Sequence, residues 1–187
     1  MVALMAQPAL AQAPNFAPRL LKAAVEQTTQ SVRYDGAYRR IAYPGGDVPA
    51  NIGVCTDVVI RAYRAVGVDL QVLVHEDMSR TFSSYPRAWG LNKPDSNIDH
   101  RRVPNLQRFF ERRKAAIPVA REAASYLAGD LVTWMLPGNL PHIGIVSDRP
   151  SPGGAQHLII HNIGNGPELS DILFAYPITG HYRYSGQ

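Results

Sequence analysis

The run "NIGVCTDVVIRAYRAVG", Asn51 to Gly67, carries the one cysteine of the chain, Cys55, at the start of a helical pattern. Val58, Val59, Ala62, Tyr63 and Val66 fall on one stripe at helical spacing, and Gly67 supplies a C-terminal stop. A thiol in the first turn of a helix meets unpaired backbone N–H groups and the positive end of the helix dipole. Both favour the thiolate, so the position predicts a thiol of low pKa that is alkylated below the pH an ordinary cysteine needs. Gly53, just before it, allows a close approach of the chain.

Upstream, "APRLLKAAVEQTTQSV" places Leu20, Leu21, Ala24, Val25 and Thr28 on one face and reads as an amphipathic helix. "YDGAYRRIAYPGGDVPANIG" is an irregular loop by its Pro and Gly content. Downstream, "QVLVHEDMSRTFSSYP" reads as a helix ended by Pro86, and "WGLNKPDSNIDHRRVP" as a loop with a short strand. "NLQRFFERRKA" reads as a short helix beginning after Pro104. The second half changes period. "DLVTWML", "HIGIVSD" and "HLIIHNIG" are short β-type runs separated by the turn segments "PGNLP" and "RPSPGGA", and "DILFAYPITGHYRY" supplies one or two more strands. Helices first and an antiparallel sheet second predict a single α+β domain over residues 16–187.

The length of 187 residues suits one core, and 45% hydrophobic with 18% charged residues is an ordinary globular balance. The net charge of +4 is mildly basic. Its clusters, "HRRVP" and "RFFERRKAA", lack the interleaved aromatics of a nucleic-acid reader, so no nucleic-acid partner is expected. One cysteine excludes an intrachain disulfide. The first 13 residues, "MVALMAQPALAQA", resemble the back half of a secretory signal peptide with an A-x-A site, which predicts a periplasmic or secreted protein. No apolar stretch is long enough for a transmembrane span. Composition does not fix the oligomeric state.

A thiolate needs a base. His142 opens "HIGIVSD" and His161 lies in "HLIIHNIG". If these strands are antiparallel neighbours, the two rings lie close on one face, one as base to Cys55 and the other orienting it. Asn162 points to the opposite face of a regular strand, so His161 and Asn162 are alternatives for the third role.

The order "GVCTDVVIRAYR", "AGDLVTW", "PHIGIVSD", "LIIHNIG" resembles the NlpC-like cell-wall cysteine peptidases, which share a papain-like core. From Tyr34 to Tyr184 the chain also resembles a family of secreted bacterial proteins of unassigned function within that superfamily. The resemblance implies Cys55 as nucleophile, His142 as general base, His161 as orienting residue, a peptide or peptidoglycan substrate, and neither cofactor nor metal. It places Tyr43 in the loop where that family carries an active-site tyrosine. Two features depart from the pattern. "V-C-T-D" stands where "D-C-S-G" is usual, so Asp57 replaces a small residue and becomes a candidate contact for a substrate amine. The segment from His75 to Arg113 is longer than expected, and within it Arg101 and Arg102 are candidates to bind a peptide carboxylate. Three other classes fit the same residues: acyl transfer to an amine, a non-catalytic wall-binding module, and a metallohydrolase built on His142, His161 and Asp57.

Overall fold

In the computed structural model, which describes residues 15–186, the helices come first because their apolar residues recur at helical spacing. The signal-like segment 1–13 lies outside the described residues. Helix α1 (Phe16–Gln27) buries Phe16, Leu20, Leu21, Ala24 and Gln27. Helix α2 (Cys55–Ala65) begins at the cysteine and buries Val58, Val59, Ala62 and Tyr63. Gly67 follows with φ +88°, the left-handed region open to glycine. Helix α3 (Leu70–Thr81) is capped by Asp69, whose carboxylate accepts the Gln71 N–H at 3.0 Å. Helix α4 (Val103–Arg112) takes Pro104 into its first turn, where no backbone N–H is missed, and so starts earlier than the proline suggested.

Before α2, strands β1 (Arg33–Tyr34) and β2 (Ile52–Gly53) pair in parallel, with Tyr34 opposite Gly53. The main sheet comprises β3 (Ala116–Ile117), β4 (Leu131–Leu136), β5 (Leu140–Pro150), β6 (His157–His161), β7 (Glu168–Ser170) and β8 (Ile178–Tyr182). Its order is β3-β8-β4-β5-β6-β7, and each neighbouring pair is antiparallel. The α+β class expected from the sequence is therefore the class observed. Strand β7 and the two-residue strands are too short to leave a period in the sequence. The "WGLNKPDSNIDHRRVP" stretch holds a 3₁₀ turn, Asp99–Arg101, in place of the expected strand.

The sheet has two covered faces. Ile143, Ile145 and Ile160 join Val58, Val59 and the other helical residues in the larger core. Trp134, Val146 and Ile159 face the other way, under Tyr126 and Leu173. Asp130 ties the sheet together. Its carboxylate accepts the Leu127 N–H and both Arg183 donors and pairs with His181 Nε2 at 2.7 Å, joining β4 to β8. His181 is thus committed to the fold.

Gly144 fixes how β5 meets β6. A Cβ there would stand 3.1 Å from the Cβ of His161 and closer still to Ile159. Gly144→Ala should therefore push β6 away and destabilise the protein by about 1–3 kcal/mol, the usual cost of overpacking. A urea midpoint unchanged by the substitution would show that the close approach is not required.

Candidate functional site

Cys55 enters the site on the first turn of α2. That turn is closed by Asp57, whose Oδ2 accepts the Val54 N–H at 2.7 Å while the Asp57 N–H reaches the Val54 carbonyl at 3.1 Å. The sulfur comes against the backbone N–H of Ile143, the residue after His142 on β5. It does so on the Leu140 side of the point where the β5–β6 ladder begins.

His142 and His161 are brought together as the antiparallel pairing requires. Nε2 of His142 and Nδ1 of His161 are 3.0 Å apart, with the rings close to perpendicular at 87°. Trp134, opposite His142 in the β4–β5 register, covers that ring with centroids 5.9 Å apart. The far nitrogen of His161, Nε2, has no hydrogen-bond partner among the described residues. Glu168, its register partner on β7, holds Oε1 3.8 Å from it. Asn162 has a different task. Its Oδ1 accepts the N–H groups of Gly164 and Gly166 at 3.0 and 3.2 Å, and its Nδ2 donates to the Gly53 carbonyl at 3.4 Å. It stitches the end of β6 to the segment that delivers Cys55 and stays out of the histidine pair.

Electrostatics correct one expectation. Cys55 is buried, and burial pushes its thiol up to about 11. The N–H groups of Ile143, Thr56 and Cys55 itself oppose this, and the Asp57 charge adds to it. Desolvation outweighs the helix start, so the resting thiol is protonated. Burial likewise holds His142 down to about 3, with the neighbouring His161 contributing, and His161 down to about 4. At rest the thiol and both imidazoles are neutral.

Three of the four residues expected to touch substrate, Tyr43, Asp57 and Arg101, are engaged within the fold. Asp57 and Arg101 form a buried bidentate ion pair, with both N···O distances 2.8 Å. Arg101 also donates to the carbonyls of Ala37 and Asp35 at 3.5 and 3.4 Å. Each charge is spent on the other, so neither is free for a substrate amine or carboxylate, and Asp57 is not available to complete a metal site with the histidines. Among the described residues no group of three or more His, Cys, Asp or Glu side chains gathers as metal ligands would. Tyr43 packs edge-on against His75, with ring centroids 5.2 Å apart. The tyrosine at the thiol is Tyr34, brought there by the β1–β2 pairing and placed on the wall of a cleft of about 190 Å³ that Cys55, Trp89 and Arg102 also line. Its hydroxyl keeps its proton, pushed up to about 12 chiefly by burial and then by the charges of Cys55 and Asp57. The alternation of the "RYDG" run carried no sign of this, because a two-residue strand has no period to read.

Burying neutral histidines makes the fold sensitive to acid. His100, His142 and His161 titrate near their ordinary 6.5 when unfolded, but burial holds them at about 3, 3 and 4 in the fold. Stability is full above pH 6.5 and falls as pH drops from there towards 3, by about 1.4 kcal/mol per pH unit for each histidine. Urea midpoints between pH 7.5 and 4.5 should show this slope, and His161→Asn should make it shallower. A flat profile would contradict neutral burial.

Uncharacterized protein YijF of Escherichia coli (strain K12) is 52% identical over 159 residues, 85% of this chain and 77% of that protein. Among the described residues no helix is long and apolar enough to cross a membrane. Residues 21–184, which contain every element of the site just described, match the family described as Domain of unknown function (DUF1287), and the chain belongs to that family.

Proposed function

We propose that this protein is a cysteine-dependent amide hydrolase of papain-like, NlpC-like architecture, acting outside the cytoplasm on peptidoglycan peptides. The observation that carries the reading is the buried His142–His161 hydrogen bond of 3.0 Å on the strand whose next residue, Ile143, has an N–H that favours the Cys55 thiolate. A thiol, a ring nitrogen and a second ring that fixes the tautomer of the first are the parts that thiol acyl chemistry needs.

The mechanism starts from neutral groups. With His142 Nε2–H donated to His161 Nδ1, Nδ1 of His142 is the basic nitrogen. As the sulfur attacks the amide carbon, the S–C bond forms and the thiol proton passes to His142. The carbonyl electron pair becomes an oxyanion, met by the Cys55 N–H at the helix start and by the protonated Tyr34 hydroxyl. Collapse breaks the C–N bond, and His142 returns its proton to the leaving amine. Water, deprotonated by His142, then cleaves the thioester and restores the thiol.

The test is incubation with purified peptidoglycan fragments followed by mass spectrometry. Native protein should yield paired products whose summed mass exceeds the substrate by one water, and Cys55→Ala should yield none. His142→Ala should lower turnover on the order of a hundred- to ten-thousandfold with the fold intact. His161→Ala should lower kcat more than it raises KM, and His161→Asn should recover part of the loss. Product formation by Cys55→Ala, or none by the native protein, sinks the proposal. Products carrying an added amine in place of water would identify acyl transfer instead.

A further inference from the structure

The cleft beside Cys55 holds a cation that the chemistry above does not use. Arg101 is neutralised by Asp57, but Arg102, the next residue, forms no ion pair and no side-chain hydrogen bond among the described residues, and its Nε is buried without a partner. The carboxylates nearest in sequence, Asp99 and Asp95, exert their charge on Arg102, but neither stands at ion-pair distance from it. Asp99 accepts the Asp95 N–H at 2.6 Å and lies 3.4 Å from His75 Nδ1, while Asp95 accepts from the Tyr38 hydroxyl and from Asn97. The guanidinium of Arg102 lies over Trp89, its carbon 4.2 Å from the ring centroid.

Trp89 is itself unusual. It is 59% exposed, more than any other aromatic side chain among the described residues, and its backbone sits at φ +57°. Bulky residues seldom adopt that conformation, and strain of this kind gathers at ligand clamps. Both side chains line the cleft that opens on the thiol, with Val103, Pro104 and Pro141 as its apolar walls. At about 190 Å³ it is smaller than the roughly 300–1,000 Å³ that drug-sized ligands occupy, so it suits one short acyl segment. A planar cation held by an indole, with its edge donors unspent, matches a carboxylate in two-pronged fashion.

We infer that Arg102, held on Trp89, is a specificity residue that binds a carboxylate of the substrate within the Cys55 cleft. The substrate class is then a short peptide amide bearing a free carboxylate close to the scissile bond. This rests on the amide-hydrolase reading for its role in turnover, but the binding itself does not require catalysis.

The test separates the two. Trp134 is fully buried and Trp89 is exposed, so a change in exposed-indole emission reports the cleft. The Cys55→Ala protein is titrated with N-acetyl-dialanine, with its C-terminal carboxamide, and with a carboxamide in which one alanine is replaced by glutamate. The carboxylate forms should bind about tenfold or more tightly than the plain carboxamide, as a charge-assisted contact implies. The first and third probes distinguish a terminal from a side-chain carboxylate. Adding Arg102→Gln should abolish the preference with the circular dichroism unchanged, and Arg102→Lys should restore part of it. Equal affinity for carboxylate and carboxamide, no binding of any probe, or a preference that survives Arg102→Gln overturns the inference. A carboxylate preference in Cys55→Ala, with no products from peptidoglycan fragments incubated with native protein, keeps the binding site and removes the hydrolase reading.

Discussion

The Asp57 carboxylate is the fixed point of the site. One oxygen closes the first turn of α2 by accepting the Val54 N–H, and both oxygens grip Arg101. Arg101 in turn reaches the carbonyls of Asp35 and Ala37, and its own carbonyl accepts the Thr56 hydroxyl at 3.2 Å. The helix start, the 3₁₀ turn and the segment after Tyr34 are thereby held against one another. A buried pair of this kind adds little over an apolar packing, but losing one partner strands a charge at a cost of about 3–5 kcal/mol. Its value here is positional. It sets where the sulfur emerges, and it consumes the charge of Arg101, so the neighbouring Arg102 is the cation left facing the cleft.

Local patterns were legible in the sequence wherever period and capping decide. The α2 stripe, the stop at Gly67 and the three central strands follow from spacing, and the pairing of β5 with β6 brought His142 and His161 together as alternation requires. What was hidden depends on contacts distant in the chain. Asp57 and Arg101 are 44 residues apart, and nothing in either neighbourhood announces the pair. Tyr34 was missed in favour of Tyr43 because the loop between β1 and β2 has no period, and the parallel pairing of two residues decides which tyrosine reaches the thiol. The acidity of Cys55 was misjudged for a different reason. Helix position is a local property, whereas desolvation is a property of the whole packed core, and here it is the larger of the two.

Neutral groups in a dry site also explain the polarity of its far end. In the proposed reaction, a proton passed from the thiol to His142 would place a charge beside Trp134 and a second ring, in surroundings that hold both histidines neutral at rest. Such a charge is tolerable only if a counter-charge lies within reach. In that proposal the thiolate would provide one at Nδ1 before the S–C bond consumes it. At the other end, the His142–His161 hydrogen bond leads to an Nε2 without a hydrogen bond and, 3.8 Å beyond it, to Glu168. Glu168 is 40% exposed in its side chain, so it keeps its hydration while standing close enough to favour the cationic pair. In the proposed reaction the two rings would link the buried thiol to a solvated carboxylate, and the β6–β7 register that sets Glu168 opposite His161 would complete that link.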